Sequence, residues 1–429
     1  MDYVQVLLDQ YFSIKDSELC IQGLAIADLA RQYGTPFFVY DEHILEHTLG
    51  RLRKALPSQF SVFYSIKANP NPHFLQFFIR HGCGLEIASL GEFHRALDAG
   101  CAPENILFAG PGKTEAELEA VLSKGIGEIH AESALEIKRI AAIADRLNIR
   151  AHVALRVNPT GEAQGGAMRM GGKPLAFGVD EEQLPEIIHY ILSFPQLEFQ
   201  GIHLFAGTQI LDHAVLINQY RKGLAIAKRV AEHTQRPLAT IDFGGGLGIP
   251  YFAHEQALDL DALHAELHQL MDEIQHEPHL QGTRFLIEPG RYLAGESGIY
   301  VARVNDIKIS RGKKFLILDG GMHHHLAASG NLGQTIKRNY PIAVLNKLGQ
   351  PNQEDVEVVG PLCTPLDTLG RSLQLPAVEV GDLIGIFQSG AYARSASPLG
   401  FLSQPTPPEV WIEQGVAQLI TQRALYATC

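Results

Sequence analysis

Short apolar runs recur along the first two thirds of the chain, and each is followed by a segment with helical spacing. Eight stand out: VFYSIKAN (62–69), GLEIAS (84–89), ILFAGP (106–111), EIHAES (128–133), HVALRVNP (152–159), FQGIHLFAG (199–207), TIDFGGG (240–246) and RFLIEPGR (284–291). They are rich in β-branched and aromatic residues and close on glycine, proline or asparagine, so they read as strands. Between them, TEAELEAVLSKG after Thr114 and LINQYRKGLAIAKRVAEH after Val215 have the spacing of amphipathic helices. Eight such units predict an α/β fold, a (β/α)8 TIM-like barrel, over residues 41–291. Beyond Arg291 the alternation fades into YVARVNDIKI, KFLILDGG, EDVEVVGPL and DLIGIF, which predict a second, mostly β domain over 292–429. Residues 1–40 do not fit the repeat; they are expected to pack on it and to be counted with that second domain.

In a (β/α)8 barrel the C-terminal strand ends form the active-site face. Lys67, Glu86, Arg156, His203, Thr208, Asp242 and Glu288 fall at those ends in this sequence, which turns a scattered set into one pocket. Lys67 closes an apolar run before Asn-Pro-Asn-Pro, where a lysine must be paired, snorkel to water or be used. Gly244, Gly245 and Gly246 follow the seventh run; a lone glycine triplet is more often a flexible turn, but loops after strands 7 and 8 are the usual phosphate site of such barrels. Glu288-Pro289-Gly290-Arg291 holds an acid and a base apart after the eighth run, and alone is an even choice between a local ion pair and a ligand site. A lysine on the first strand, a phosphate cradle and an acid for a protonated ring nitrogen together describe pyridoxal phosphate chemistry.

Composition narrows the class. The chain has 429 residues with a formal charge of −12, spread without long like-charge runs, which argues against nucleic acid as a partner. MDYVQVLLDQYFSIKD offers acids where an export signal needs a basic start, and no apolar stretch approaches membrane-spanning length. Cys20, Cys83, Cys101, Cys363 and Cys429 are scattered, without metal-ligand spacing or a disulfide framework, so a reducing cytoplasmic location is expected. His323-His324-His325 is read as pocket-lining or solvated and no metal is assigned, since alternation along a strand would point only two of them to one side. TGEAQGGAMRMGGK (160–173) is read as a mobile loop near the barrel mouth.

YSIKANP, IHLFAGTQ, DFGGGLG, EPGRY, GPLC and GAYARSASP, in this order, resemble the fold type III decarboxylases of ornithine, diaminopimelate and arginine. Six ordered motifs over nearly the whole chain are far more specific than any one of them. The resemblance implies an α/β barrel with a β-barrel-like domain, and a head-to-tail homodimer with two shared active sites. It makes Lys67 the Schiff-base lysine. Gly244, Gly245, Gly246, Gly290, Arg291 and Tyr392 become phosphate and cofactor contacts, with Glu288 on the pyridine nitrogen and Glu86, Arg156, Phe205 and Thr208 around the ring. Cys363 becomes the acid delivered from the neighbouring subunit, although a cysteine is by default a small buried hydrophobe. Arg291, Thr364 and Tyr392 become substrate contacts.

The departures from the family pattern bear on the substrate. Phe205 stands where the commonest members have a histidine stacked on the ring. Thr364 stands where an acid follows the cysteine and reads a distal amine, and Ala327 stands near the place of an arginine that reads the distal carboxylate of diaminopimelate. GPLCTPLD, DGGMHHHLAASG and FLSQP look more like the branch found with exosortase-type surface-polymer clusters, and like decarboxylases of aminoacyl groups linked to a carrier protein. The resemblance thus implies decarboxylation of a small amino acid, free or carrier-linked, without a distal ammonium. Diaminopimelate decarboxylase, an amino-acid racemase and a non-enzymatic cofactor-binding barrel are the alternatives; Glu288 and Cys363 speak against the racemase, and the C-terminal β region against the last.

Overall fold

The computed structural model describes residues 3–161, 168–169, 174–205, 207–252, 254–332, 334 and 337–425. Most of the glycine-rich 160–173 segment, at 162–167 and 170–173, lies outside the described residues. The chain divides into two compact units, one of residues 50–248 and 257–290, the other of residues 1–49, 249–256 and 291–429.

The first unit is the barrel. All eight apolar runs form strands: β1 (Phe60–Ser65), β2 (Gly84–Ile87), β3 (Ile106–Phe108), β4 (Glu128–Ala131), β5 (Ala151–Asn158), β6 (Leu197–Leu204), β7 (Thr240–Asp242) and β8 (Arg284–Ile287). Each pairs in parallel with the next, and Phe285–Ile287 of β8 pairs with Phe60–Val62 of β1, which closes the sheet. The predicted helices are present at Glu115–Ser123 and His213–Thr234. Thr114 starts the former with a capping box: its Oγ1 accepts from Glu117 N–H at 3.2 Å, and Glu117 Oε2 accepts from Thr114 N–H at 3.0 Å. Ser89 and Ser133 cap the helices after β2 and β4, their Oγ accepting from Glu92 N–H and Glu136 N–H, so short loops deliver the strand ends to one face.

The second unit is built on antiparallel sheet. A long strand, Gly298–Ser310, pairs with Lys313–Leu318, with Leu383–Ile386 and with Phe37–Asp41, and Phe37–Asp41 in turn pairs in parallel with Glu409–Glu413. Residues near the N-terminus are therefore part of this sheet. Val4, Leu7, Leu19 and Ile26 share one buried core with Phe37, Val39, Ile299, Val301, Leu383, Val410 and Ile412.

Candidate active site

Strand β1 ends one turn earlier than its apolar run, at Ser65, and Lys67 sits on the short 3-10 turn Ile66–Ala68. Its side chain is 46 % exposed, and its Nζ lies 3.2 Å from Glu86 Oε2 on β2. The lysine is thus neither desolvated nor lost in the core. Glu86 is buried and also accepts from the Ser65 hydroxyl, so one carboxylate ties the ends of β1 and β2.

On the opposite strands the charge is deeper. Arg156 on β5 donates to Glu132 Oε1 at 2.9 Å, and its guanidinium lies 4.8 Å from the Phe177 ring and 6.0 Å from the Phe205 ring. Glu132 also accepts from Gly110 N–H and Gly178 N–H. Against the burial that raises it, Arg156 and the Gly178 N–H hold this carboxyl below the usual range. Thr208 lies past the end of β6, in a two-residue strand that pairs with the Met168–Arg169 backbone.

The seat of the barrel is a knot of acids and imidazoles. His130, His203, Asp242 and Glu288 are all buried, with side-chain polar atoms within 4.8 Å of one another. His130 and His203 stack at 4.2 Å between ring centroids. His203 Nε2 lies 3.5 Å from Glu288 Oε2, and His130 Nδ1 lies 3.8 Å from Glu288 Oε1. On its other side His130 Nε2 meets Glu128 Oε1 at 3.1 Å, and Glu128 is fixed by the Thr240 hydroxyl at 2.8 Å. Burial, then the charge of Glu288, pushes Asp242 well above the usual carboxylate range; burial, then His130, holds His203 well below the usual imidazole value. Glu288 Oε1, Asp242 Oδ2, His130 Nδ1 and both ring nitrogens of His203 are buried without a hydrogen-bond partner, the mark of a place that takes a further polar group.

Beside Glu288 runs the glycine triplet. Gly244 has φ of 68° and Gly246 φ of 114°, a backbone that L side chains rarely adopt. A Cβ on Gly244 would lie 2.5 Å from Leu204 O, and one on Gly245 2.8 Å from Glu288 O. Only glycine fits here, and the turn is anchored by Gly244 N–H donating to Asp242 Oδ1 at 2.7 Å. A Cβ on Gly290 would meet Ala68 Cβ at 2.9 Å, so the glycine lets the chain after β8 pass close to the Lys67 turn.

In the second unit Arg291 is enclosed by phenols. It donates to Tyr251 Oη at 2.9 Å, and its guanidinium lies 4.7 Å from the Tyr392 ring. Its Nε is buried and unpartnered. Tyr392 holds φ at 54°, a left-handed conformation unusual for a tyrosine and of the kind that collects at ligand sites. Cys363 is exposed, whereas burial pushes the Cys83 thiol up to about 11 and the Cys101 thiol up to about 12. Among the described residues these three and Cys20 are free thiols.

The histidine triplet corrects the expectation. It lies in a turn, not a strand, and its side chains are buried, which removes the solvated reading and leaves the pocket-lining one. His324 Nε2 donates to Pro405 O at 2.9 Å, which leaves Nδ1 to accept from Tyr300 Oη at 3.0 Å. His325 Nδ1 accepts from Ala328 N–H, so its Nε2 donates to Ser389 Oγ at 2.9 Å. His130, Glu132 and the buried Lys113, whose Nζ donates to His130 O and pairs with Glu136, were not singled out in the sequence. The signal for the first was period-two spacing in EIHAES, which puts Glu128 and His130 on one face of their strand.

Residues 42–295 match the family model described as pyridoxal-dependent decarboxylase, pyridoxal binding domain. The chain is similar to L-glutamyl-[BtrI acyl-carrier protein] decarboxylase of Niallia circulans, at 38% identity over 93% of each chain. It is also similar to 2-[(L-alanin-3-ylcarbamoyl)methyl]-2-hydroxybutanedioate decarboxylase of Staphylococcus aureus, at 30% identity over 90% of this chain and 96% of that one. Among solved structures, diaminopimelate decarboxylase from M. jannaschii in complex with L-lysine superimposes with a TM-score of 0.88, at 26% identity, covering 96% of this chain and 95% of that one.

Proposed function

From the premise that the chain belongs to the pyridoxal-dependent decarboxylases, carboxy-lyases that work with pyridoxal phosphate, we propose that it removes the α-carboxylate of an aminoacyl substrate without a free distal ammonium. A glutamate-like group carried on a carrier protein is the substrate class that fits best.

The barrel suits the cofactor: it has a half-exposed lysine, a glycine turn with no room for side chains, and a buried acid with an unpartnered oxygen. Pyridoxal phosphate, when bound, supplies the electron sink for the pair left behind by carbon dioxide. In this reading Lys67 holds it covalently and Gly244, Gly245, Gly246, Gly290, Arg291 and Tyr392 bind its phosphate. Glu288 takes the ring nitrogen. Glu86 would pair with Lys67, and Arg156, Phe205 and Thr208 would orient the ring, with Phe205 as an apolar stacking face. Cys363, supplied by the second copy of a homodimer, returns a proton to the α-carbon. A cytoplasmic enzyme is the corresponding location; no helix among the described residues is long and apolar enough to cross a membrane.

The observation that carries the substrate class is the chemistry of the two distal-end positions. Thr364 Oγ1 accepts from Leu366 N–H at 3.3 Å, which leaves its hydroxyl proton to offer to an acceptor and no anion for an ammonium. Ala327 is buried and uncharged. A buried distal amine would forgo a charge-assisted bond worth about 1.5–3 kcal/mol. The Niallia relative is named for a glutamyl group on an acyl-carrier protein, and the S. aureus relative for a hydroxybutanedioate, in line with this reading. The test compares kcat/KM for free diaminopimelate, ornithine and glutamate with that for glutamyl groups on a carrier protein, in one preparation. The carrier-linked substrate should be turned over fastest. Diaminopimelate turnover at about 10⁴ M⁻¹s⁻¹ or above would make this an ordinary diaminopimelate decarboxylase.

A further inference from the structure

Two loops of the sheet unit carry the positions that set the substrate end: residues 319–332, with Ala327, and residues 360–368, with Cys363 and Thr364. They are joined by one buried side chain. Asp367, 3 % exposed, accepts from Met322 N–H at 2.6 Å through Oδ1 and from Leu362 N–H at 2.9 Å through Oδ2. Its own backbone O accepts from Gly360 N–H at 3.0 Å. Space for the carboxylate exists only because both loops have glycine beside it: a Cβ on Gly321 would lie 2.3 Å from Oδ1, and one on Gly360 2.2 Å from Oδ2. A second tie closes the other end, where Asn331 Nδ2 donates to Leu366 O at 3.2 Å and to Ser329 Oγ at 2.6 Å. Cys363 and Thr364 lie between these two ties.

We propose that Asp367 is a positioning residue that locks the Cys363–Thr364 turn to the Ala327 loop, so that the proton donor and the substrate-end contacts form one rigid module. The inference rests on the decarboxylase reading for the roles of Cys363 and Thr364, but the clamp itself rests on the contacts above. A buried carboxylate that accepts two backbone N–H groups costs desolvation and is compensated only while both donors stay in place. Removing one acceptor oxygen frees one loop from the other without changing the shape of the side chain.

The test is Asp367→Asn in the full-length protein, with Gly360→Ala as a second variant that displaces the carboxylate by its Cβ. Iodoacetamide labelling with peptide mapping reads the clamp without cofactor or substrate. Labelling of Cys363 should change several-fold while buried Cys20, Cys83 and Cys101 stay protected, which separates local release from general loosening. With the carrier-linked substrate, kcat should fall between about ten- and a hundredfold with cofactor content unchanged, the size of effect expected from a misplaced group. In heavy water the product should lose stereochemical purity at the α-carbon. Unchanged Cys363 labelling and unchanged kcat, or labelling that rises equally at Cys20, Cys83, Cys101 and Cys363, would overturn the clamp. Loss of decarboxylation by the parent protein with every substrate would overturn the decarboxylase reading instead, and the labelling result would still stand or fall alone.

Discussion

The strand ends of the barrel and the loops of the sheet unit solve the problem of buried polarity in opposite ways. Inside the barrel, Glu128, His130, His203, Asp242 and Glu288 crowd one another, buried, and leave several atoms unpartnered. In the loops, Asp367, Asn331, His324 and His325 spend their hydrogen bonds on the chain itself, while His323 keeps both ring nitrogens unpartnered. Unpartnered buried atoms are expensive to keep unless something occupies them, whereas satisfied ones hold shape. The first region is built to receive a group and the second to hold a geometry. Chemistry common to all substrates should therefore fail when the barrel layer or Cys363 is altered, and discrimination between substrates should fail when Thr364 or Ala327 is altered.

The largest effect that could break this division is at Lys67. Lys67→Ala should reduce turnover of every substrate to background, and borohydride reduction of the parent followed by peptide mapping should place the cofactor on the peptide containing Lys67. Cofactor recovered on another lysine would remove the barrel's assigned role. Mixing Lys67→Ala with Cys363→Ala subunits should restore activity if each site is shared between two copies, because one heterodimer site then has both groups intact. No recovery after demonstrated subunit exchange would refute sharing.

Glu288→Gln is the next test. Its oxygen is unpartnered and its neighbours are the two stacked imidazoles, so the amide should keep the shape and lose the anion that favours a protonated ring nitrogen. The expected loss in kcat is roughly 10²–10³-fold, as for removal of one preorganised electrostatic group, with equal loss for fast and slow substrates and little change in KM. A loss confined to one substrate class would mean that the barrel layer also selects substrates.

How much of this could be read from sequence follows from the same contrast. Parallel strands buried on both faces leave continuous apolar runs, so all eight could be placed, and polar residues that interrupt the run at its end, such as Glu86 and Arg156, announce themselves. From sequence Lys67 reads as the end of a strand because its run continues past Ser65, while the chain has already turned. The sequence does not single out His130 because only Glu128 is near it in the chain, while His203, Asp242 and Glu288 reach it from remote strands. From sequence the histidine triplet reads as pocket-lining or solvated because adjacent histidines give no period, and the contacts that decide their state come from Tyr300, Ser389 and Pro405, far off in the chain.

The smallest expected effect probes that triplet, and with it the claim that the loop region stores geometry. Burial pulls His323 down to about 4 and His325 down to about 3; burial, then the charge of His323, pulls His324 down to about 2. Each folded value lies below the unfolded value of about 6.5, so the neutral ring contributes stability that is complete above pH 6.5 and is lost as pH falls toward the folded value. Below pH 6.5 the unfolded chain takes up protons that the folded chain refuses, and each histidine costs about 1.4 kcal/mol per pH unit. His323 is the place to test this, because neither of its ring nitrogens has a partner, so that His323→Leu breaks no hydrogen bond. Urea unfolding at pH 7.5 and 5.5 should show the parent losing stability on acidification and the variant losing about 1.4 kcal/mol less over the one pH unit below 6.5. At pH 7.5 the variant should be at least as stable as the parent, since an apolar side chain replaces an unsatisfied imidazole. Equal acid sensitivity in the two proteins would mean that His323 meets a proton acceptor in solution, and the loop would then have to be grouped with the barrel layer as a region that receives a group.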